Sequence, residues 1–412
     1  MDKKQLLLEK LAKVAVEIGV NVQKGQLVVI NSSIDAAPFA RLIQKEAYLR
    51  GAKQVYVEWS DDEIARNNYT YISEETMSEL PDWQLSKLHY LVDNNACRIS
   101  IDSRNPHAFD GIDMSKAMRA SRVTGPKMSF FRQHYSASKA QWTIVAYPND
   151  AWCKTVFPDL PVDEAWDKLF DAICYTSRVS LENDPVVEWN NHTASLEAHS
   201  KLMNEYNFKT LYFKNSLGTD LSINLVENHI WAGGGEMGGN GVYFVPNIPT
   251  EEIFTMPHKD GVNGKVVSTK PLNYQGQLIE DFYLVFKDGK VVEYNAKKGI
   301  EALKNLVELD EGSSRLGEVA LISYDSPISN LGILFNDTLF DENASCHLAL
   351  GNAYSMNIKN GTEMKEEDLE KLGYNRSLTH VDFMFGSSDL SVTGVTHDGK
   401  TIEIFKEGNF II

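Results

Sequence analysis

Apolar residues in the first half of the chain alternate between two spacings. Near the start, large apolar side chains recur at the spacing of one helical face: Leu7, Leu11, Val14 and Ile18. Short β-branched or aromatic runs, typical of buried strands, follow at residues 26–31 (QLVVIN), 54–59 (QVYVEW), 97–101 and 141–147 (QWTIVAY). Helical patterns at 36–50 and 82–92 lie between them, and Gly51 suits the left-handed position that follows a helix. This alternation predicts an open α/β domain over residues 1–190, with a mostly parallel sheet.

The pattern changes after a long polar-faced helix, which we predict over residues 187–206. Two later stretches carry an Asp-Gly pair between alternating apolar residues, which is a hairpin signal: Asp288-Gly289 and Asp398-Gly399. Further strand-like runs lie near 318–323 and 380–383. We therefore expect residues 191–412 to form an α+β domain with a mixed or antiparallel sheet.

Charge narrows the range of partners. The chain has 412 residues, of which 40 are basic and 57 acidic, giving a net charge of −17. A surface that binds nucleic acid needs a basic excess to neutralise phosphates, and an anionic membrane attracts basic segments. We therefore expect neither nucleic acid nor a membrane as partner.

The N-terminal stretch and the cysteines indicate a cytoplasmic protein. Charged residues interrupt the apolar residues of the stretch 5–18: Glu9, Lys10, Lys13 and Glu17. A signal peptide needs an unbroken apolar run, and no segment approaches the ~20 apolar residues of a membrane span. The four cysteines are scattered without paired spacing, at Cys97, Cys153, Cys174 and Cys346. That spacing fits reduced thiols and argues against a disulfide framework or a cysteine-based zinc site.

Residues 233–241 (GGGEMGGNG) have the most unusual composition in the chain. They lack the Gly-Lys-Ser/Thr ending of a P-loop and do not stand between a strand and a helix as a dinucleotide-binding loop does. A flexible or close-packed turn is the preferred interpretation. An edge of a substrate cleft remains an alternative.

His380 and Asp382 are two residues apart in a strand-like run. Such residues point to the same face of a strand, so an imidazole and a carboxylate would project together from an apolar segment. A metal ion would compensate the carboxylate's charge, and a simple His–Asp hydrogen bond is the alternative.

Eight of the ten histidines lack an acidic or histidine neighbour at ligand spacing and are expected at ordinary surface or core positions: His89, His107, His134, His192, His199, His229, His258 and His397.

His347 and Tyr354 stand seven residues apart and would share a face if the segment between them were helical. Glu342 would join that face only from a loop leading into the helix. Two further carboxylates precede or open apolar runs, Glu252 and Glu318. In an extended segment Glu251 and Glu252 face opposite ways, so only one of them can join a given site. Each acid taken alone could be an ordinary surface residue.

Four segments, in this order, resemble the thermophilic metalloaminopeptidases, meaning aminopeptidase T and the aminopeptidases S of Gram-positive bacteria. They are residues 247–252 (NIPTEE), 316–318 (LGE), 341–347 (DENASCH) and 380–382 (HVD). The resemblance runs over nearly the whole chain. No one of these segments would be specific alone, but together in this order they are.

The resemblance implies a metal-dependent aminopeptidase that removes N-terminal residues from peptides through a water activated by two divalent ions, zinc, cobalt or manganese. The implied metal ligands are Glu252, Glu318, His347, His380 and Asp382, with Glu342 from a matching segment as a further candidate. Tyr354 lies beside them and is a plausible donor to the developing oxyanion. The expected partners are peptides with a free N-terminus and a second copy of the chain in a homodimer. Glu342 or Glu318 could carry the proton.

Two other classes stay open on the residues alone. A glycoside hydrolase would also use paired carboxylates and would suit a chain with seven tryptophans. It would not need His347, His380 and Asp382 together. A non-catalytic peptide-binding protein is the second alternative. Sensitivity to a chelator and turnover of aminoacyl substrates separate these three classes.

Overall fold

Two structural units divide the chain in a computed structural model that describes residues 3–274 and 277–412. The first unit consists of Met1–Asn191 and Gly235–Pro249, and the second of His192–Gly234 and Thr250–Ile412. The segment Gly235–Pro249 therefore belongs to the first unit although part of the second precedes it in sequence.

The helices are α1 Lys3–Val14, α2 Ala37–Leu49, α3 Asp62–Tyr71, α4 Glu74–Met77, α5 Asp82–Asp93, α6 Ser115–Thr124, α7 Ser129–Ser136, α8 Asp150–Val156, α9 Val162–Thr176, α10 Pro185–Tyr206, α11 Ile300–Val307, α12 Pro327–Leu331, α13 Thr338–Asp341 and α14 Glu366–Lys371. The strands are β1 Leu27–Ser33, β2 Gln54–Ser60, β3 Cys97–Asp102, β4 Trp142–Ala146, β5 Phe208–Lys214, β6 Asp220–Leu225, β7 Ala232–Gly233, β8 Glu236–Met237, β9 Tyr243–Phe244, β10 Asn247–Ile248, β11 Ile253–Thr255, β12 Pro257–Val267, β13 Leu272–Tyr274, β14 Gln277–Lys287, β15 Lys290–Lys298, β16 Leu316–Leu321, β17 His347–Gly351, β18 His380–Met384, β19 Ser391–Thr396, β20 Thr401–Lys406 and β21 Asn409–Phe410.

The first unit is built on a parallel sheet, as the strand–helix alternation predicts. Its strand order is β10-β4-β3-β1-β2, and every pairing in it is parallel. Helix α2 buries side chains at the spacing of one helical face, Phe39, Ala40, Ile43 and Ala47. Gly51 follows that helix with φ +96°, the left-handed conformation expected there.

The second unit contains antiparallel sheets. One has the order β18-β17-β16-β11-β7, and the larger one runs β13-β14-β12-β6-β5-β19-β20-β21 with β15 paired to β14. The predicted fold class, a parallel α/β part followed by an antiparallel α+β part, is confirmed. The predicted polar-faced helix is confirmed as α10.

The hairpin predicted at Asp288-Gly289 joins β14 to β15. Both turn residues have positive φ, +49° and +78°, as a two-residue hairpin turn of this kind requires. Gly289 is also required by space, because a Cβ there would lie 1.8 Å from the carbonyl oxygen of Lys259. The second predicted hairpin joins β19 to β20.

The first glycines of the glycine-rich segment are close-packed, one of the two kinds of turn expected from its sequence, whereas a Cβ on Gly241 would meet nothing within 4 Å. A Cβ on Gly233 would lie 2.5 Å from the carbonyl oxygen of Glu252, across the pairing of β7 with β11. A Cβ on Gly235 would lie 2.4 Å from the hydroxyl oxygen of Tyr243. Larger residues would push these neighbours apart.

Two further observations concern the described residues as a whole. All four cysteines are buried, and none of them forms a disulfide within residues 3–274 and 277–412. Over the same residues, no helix combines the length and the apolar character needed to cross a bilayer.

Candidate metal centre

One face of the sheet β18-β17-β16-β11-β7 collects most of the predicted metal ligands. Residues paired across antiparallel strands point to the same face, as do residues two apart within a strand. Glu318 is paired with Ala349, and Ala349 with Asp382. His347 lies two residues before Ala349 on its strand, and His380 lies two residues before Asp382. The register alone therefore directs these four functional side chains to one face.

A bulge in β16 turns Glu318 towards this face. Leu316 is paired with Leu350 and Glu318 with Ala349, so Gly317 is an extra residue on its strand. Leu316 consequently joins the apolar side of the sheet while Glu318, two residues later, faces the other way. Only glycine fits at the extra position, because a Cβ there would lie 2.4 Å from the carbonyl oxygen of Gly351.

Glu252 reaches the same face from the start of β11. Phe254 is paired with Ala320, which shares a face with Glu318, and Glu252 precedes Phe254 by two residues. Its Oε2 lies 3.2 Å from Nε2 of His347. Glu251 instead approaches His192, whose Nε2 is 3.6 Å from its Oε2. The two adjacent glutamates thus have different partners, as the expectation of opposite facing requires.

Glu318 is the shared member of the cluster. Its Oε1 lies 3.4 Å from Nε2 of His347, and its Oε2 lies 3.6 Å from Nε2 of His380. Asp382 closes the other side, with Oδ1 3.4 Å from Nε2 of His380 and 4.0 Å from Nε2 of His347. One carboxylate therefore stands between two imidazoles.

Both histidines present the same nitrogen to the carboxylates. Nδ1 of His380 is 2.6 Å from the carbonyl oxygen of Asn352, and Nδ1 of His347 is 3.4 Å from that of Ser345. A backbone carbonyl can only accept, so it favours the tautomer with the proton on Nδ1. Nε2 of each ring then keeps its lone pair for a cation, as in metal sites where the second ring nitrogen is hydrogen-bonded.

The electrostatics of the cluster show an excess of negative charge. Burial lowers the pKa of His347, but the close carboxylates of Glu252 and Glu318 outweigh burial and raise it well above its ordinary value. The pKa of His380 rises to about 9 in the same way, because Asp382 outweighs burial. Burial raises the pKa of Glu318, and the neighbouring charge of Asp382 adds to that effect. These shifts mean that the cluster attracts positive charge.

Two oxygen atoms of the cluster are buried without a hydrogen bond to any described residue: Oε2 of Glu252 and Oδ1 of Asp382. Imidazole nitrogens lie close to both, but not in hydrogen-bonding geometry. Buried carboxylate oxygens normally have partners, so two unpaired oxygens beside two imidazoles fit a site that binds a cation. Two groups have ligand atoms that all lie within 4.8 Å of one another: Glu252, Glu318 and His347, and Glu318, His380 and Asp382. Carboxylate and imidazole donors suit a divalent ion.

Glu342 lies close to this cluster, although it projects from outside the sheet. It opens the 3₁₀ turn Glu342–Ala344, directly after α13. Burial, together with the charges of Asp382 and Glu252, raises its pKa well above the ordinary value. A proton on Glu342 is therefore favoured while the cluster is short of positive charge.

Tyr354 is also close to the site, but not through a helix shared with His347, the condition under which the sequence placed the two on one face. Residues His347–Gly351 form β17, every residue of which is buried, and Tyr354 lies in the following loop. A short apolar run fits a central strand as well as a helix, and pairing with β16 and β18 decides the matter. The tyrosine ring packs 4.7 Å from the ring of His380, centroid to centroid. Tyr354 is 43% exposed, so a substrate can reach it.

Sequence reasoning missed three residues that hold the site in place. Asn352 fixes the ring of His380 through its carbonyl oxygen. The side chain of Asn343 accepts from the backbone N–H of Glu251 and donates to the carbonyl oxygen of Leu339, so it ties the Glu251–Glu252 segment to α13. His192 was expected to lack an acidic partner, and folding supplies Glu251. Asn343 lies within a family-like segment, which was an available signal.

A cavity of about 190 Å³ adjoins the cluster. Glu342 and Asp382 contribute to its wall. Leu272, Leu334 and Met384 give it a partly apolar lining. Carboxylates and apolar side chains thus meet in a space that a small part of a substrate can enter.

Comparisons with known proteins identify the family and the fold. Residues 4–410 match the family described as thermophilic metalloprotease (M29). Aminopeptidase AmpS of Bacillus subtilis (strain 168) is 46% identical over 410 residues, covering 100% of both chains. Aminopeptidase 2 of Geobacillus stearothermophilus is 43% identical over 410 residues, covering 100% of this chain and 99% of that protein. The solved structure of wild-type AmpT from Thermus thermophilus has a TM-score of 0.91 and 36% identity, covering 98% of this chain and 99% of that one.

Fold, site and family match define the class as a metal-dependent peptidase. The chain belongs to the thermophilic metalloprotease family, M29. The resemblance seen in the four sequence segments is confirmed. A glycoside hydrolase, which paired carboxylates alone left open, is not the class to which the chain belongs.

Proposed function

We propose that this chain is an aminopeptidase that hydrolyses the first peptide bond of substrates with a free N-terminus at a centre of two divalent ions. The observation that carries the proposal is the position of Glu318, whose two oxygens face His347 and His380 at 3.4 and 3.6 Å. A carboxylate with one oxygen towards each of two ligand groups is suited to bridge two ions.

In this proposal, Glu252, Glu318 and His347 hold one ion, and Glu318, His380 and Asp382 hold the other. Glu342, in the 3₁₀ turn after α13, is a further candidate ligand beside these two groups. Zinc, cobalt and manganese all accept mixed carboxylate and imidazole donors, so the donor set fits any of them. Metal binding displaces the protons that the raised histidine pKa values favour, and affinity should fall in acid.

When bound, two such ions lower the pKa of a water molecule and polarise a substrate carbonyl. The chain's own groups supply the remaining steps. Glu342, whose pKa burial raises, accepts a proton at its carboxylate and returns it to the leaving amine. The Tyr354 hydroxyl donates a hydrogen bond to the oxygen that becomes negative in the transition state. Although the residue is partly exposed, desolvation of its hydroxyl group and the negative charge of Glu318 raise the pKa of Tyr354, so the hydroxyl stays protonated.

The relatives favour an exopeptidase acting at the N-terminus, because AmpS and aminopeptidase 2 are both named as aminopeptidases. The proposal includes a cytoplasmic location and a homodimer, as expected from the sequence. Sedimentation equilibrium tests the homodimer.

Metal removal tests the proposal. Purified protein is treated with a chelator, its metal content is measured, and hydrolysis of leucine p-nitroanilide is followed before and after zinc, cobalt or manganese is added back. Hydrolysis should be abolished by the chelator and restored by at least one ion. Hydrolysis that survives complete chelation would contradict the metal mechanism, and no turnover with any ion would favour a peptide-binding protein.

The direction of attack is tested with a matched pair of peptides. A free peptide and its N-acetylated form differ only at the α-amino group, which the proposal requires for binding. The free peptide should be shortened stepwise from its N-terminus, and the acetylated form should resist. Internal cleavage of the acetylated peptide would identify an endopeptidase instead.

A further inference from the structure

A second cavity adjoins the one beside the candidate metal centre. It has a volume of about 450 Å³, within the range of small-molecule sites. Pro271 and Leu334 line both cavities, so the two share a wall. The smaller cavity touches Glu342 and Asp382, whereas the larger one is lined by Lys270 and several hydroxyl groups. Two neighbouring cavities of the second unit thus carry carboxylates in one case and a lysine in the other.

Lys270 is half-buried and has no direct partner. Its ammonium group makes no hydrogen bond and no ion pair within 4.0 Å among the residues that the structure describes. Asp341 influences it only from a greater distance. The two oxygens of Asp341 accept from the backbone N–H groups of Phe335 and Asp337, at 2.8 and 3.1 Å. Lys270 is therefore a positive charge at the cavity without a compensating partner among the described residues, and a negatively charged ligand would be favoured beside it.

The walls of the larger cavity also offer hydrogen-bond donors. Thr269 contributes to this wall. Ser345 makes only a long contact of 3.4 Å to the carbonyl oxygen of Cys346, and Ser388 lies in the same wall. Hydroxyl groups and an ammonium group are the donors that carboxylates accept from.

We infer that the cavity of Lys270 binds the C-terminal carboxylate of short peptides whose N-terminal residue lies at the metal centre. This inference rests on the proposed function and adds a substrate class to it, namely short peptides with a free carboxylate. An extended peptide spans ~3.3–3.6 Å per residue, so only a short one places its carboxylate in a neighbouring cavity. A longer chain would place a neutral peptide group beside Lys270.

The inference is tested with peptide pairs that differ only at the C-terminus, such as Leu-Gly-Gly and its C-terminal amide. The ratio of kcat/KM for acid and amide is measured in the metal-loaded protein. We expect the wild type to prefer the acid roughly 10- to 100-fold, the usual value of a hydrogen bond to a charged group. Lys270→Gln should bring the ratio near one, and Lys270→Arg should keep part of the preference.

Lys287→Gln is the matched control, because it removes one positive charge from an exposed position in the β14–β15 hairpin. Its acid-to-amide ratio should equal that of the wild type. A wild-type ratio near one overturns the inference, even if no Lys270 variant folds. Equal losses on acid and amide in Lys270→Gln also overturn it, because Lys270 would then only balance the charge of Asp341. If the wild-type protein cleaves neither peptide, the proposed aminopeptidase function itself is wrong.

Discussion

The two faces of the sheet β18-β17-β16-β11-β7 are made by the same strands but differ completely in chemistry. One face carries fully buried apolar side chains: Val319, Leu321, Leu348, Leu350 and Phe383. The other carries Glu318, His347, His380 and Asp382. A single step along a strand moves from one face to the other. The apolar face keeps the strands in register, and that register brings each of the two histidines within 4.0 Å of both Glu318 and Asp382.

The charged face has an energetic cost that the apolar face does not. Carboxylates held close together in a buried site repel one another, and each disfavours ionisation of the next. Burial raises the pKa values of Glu318 and Glu342, and the charges of the neighbouring carboxylates add to this effect. A substitution on the apolar face should therefore lower the stability of the protein and leave its metal content unchanged. A substitution on the charged face should lower the metal content.

The largest effect should follow from Asp382→Ala. The substitution removes a proposed ligand, so bound metal should fall and kcat should fall by more than the ~10³-fold that loss of one oxyanion donor can cause. Its neighbour Val381 packs against the apolar core and serves as matched control. Val381→Ala should cost roughly 1–3 kcal/mol of unfolding free energy while the protein keeps its metal. Equal metal loss in both variants would show that the two faces are not separable.

Tyr354→Phe should have the next largest effect. It removes a hydroxyl group and keeps the ring that packs on His380, so fold and metal content should change little. The turnover rate should fall roughly 10²- to 10³-fold, as for loss of one oxyanion donor. Metal content and kcat are measured on the same preparation. The assigned roles would be wrong if Tyr354→Phe lost its metal while His380→Ala kept both ions and normal turnover. Tyr354 would then be the metal ligand and His380 would not.

The smallest effect should be the pH dependence of the free energy of unfolding of the metal-free protein. The pKa of His380 is about 9 in the folded protein, against roughly 6.5 when unfolded. The folded state therefore binds more protons, so this stabilisation is complete below pH ~6.5 and is lost as the pH rises through about 9. The raised pKa values of His347, Glu318 and Glu342 act with the same sign. Asp382, whose pKa is lowered, acts in the opposite direction but at acid pH.

Urea unfolding in the presence of a chelator measures this effect between pH 6 and pH 10. For His380 alone the free energy of unfolding should fall by up to about 3 kcal/mol across that range. His380→Gln should flatten the slope, and saturating metal should do so as well because the ion takes the place of the protons. Stability that stays constant or rises over this range in the metal-free wild type would contradict the charge distribution described for the cluster.

Features set by local spacing could be predicted from the sequence. The period of two in a strand correctly placed His380 and Asp382 on one face, and the Asp288-Gly289 pair correctly marked a hairpin. The alternation of apolar runs also gave the parallel sheet of the first unit. In each case the information lies within a few neighbouring residues.

Features that depend on tertiary contacts could not be read in this way. The run His347–Gly351 is too short and too apolar to distinguish a strand from a helix, and only its pairing with two strands decides. The contact of His192 with Glu251 joins residues far apart in the chain. The bulge at Gly317, which turns Glu318 towards the site, has no signal beyond a single glycine in a strand.

The central claim, that Glu318 bridges two ions on the charged face of the sheet, is tested most directly by anomalous diffraction from crystals loaded with zinc or manganese. Two peaks are expected, roughly 3.5–4 Å apart, one beside Glu252 and His347 and the other beside His380 and Asp382, with the Glu318 carboxylate between them. A single peak in this cluster, or two peaks that do not share Glu318, would contradict the claim.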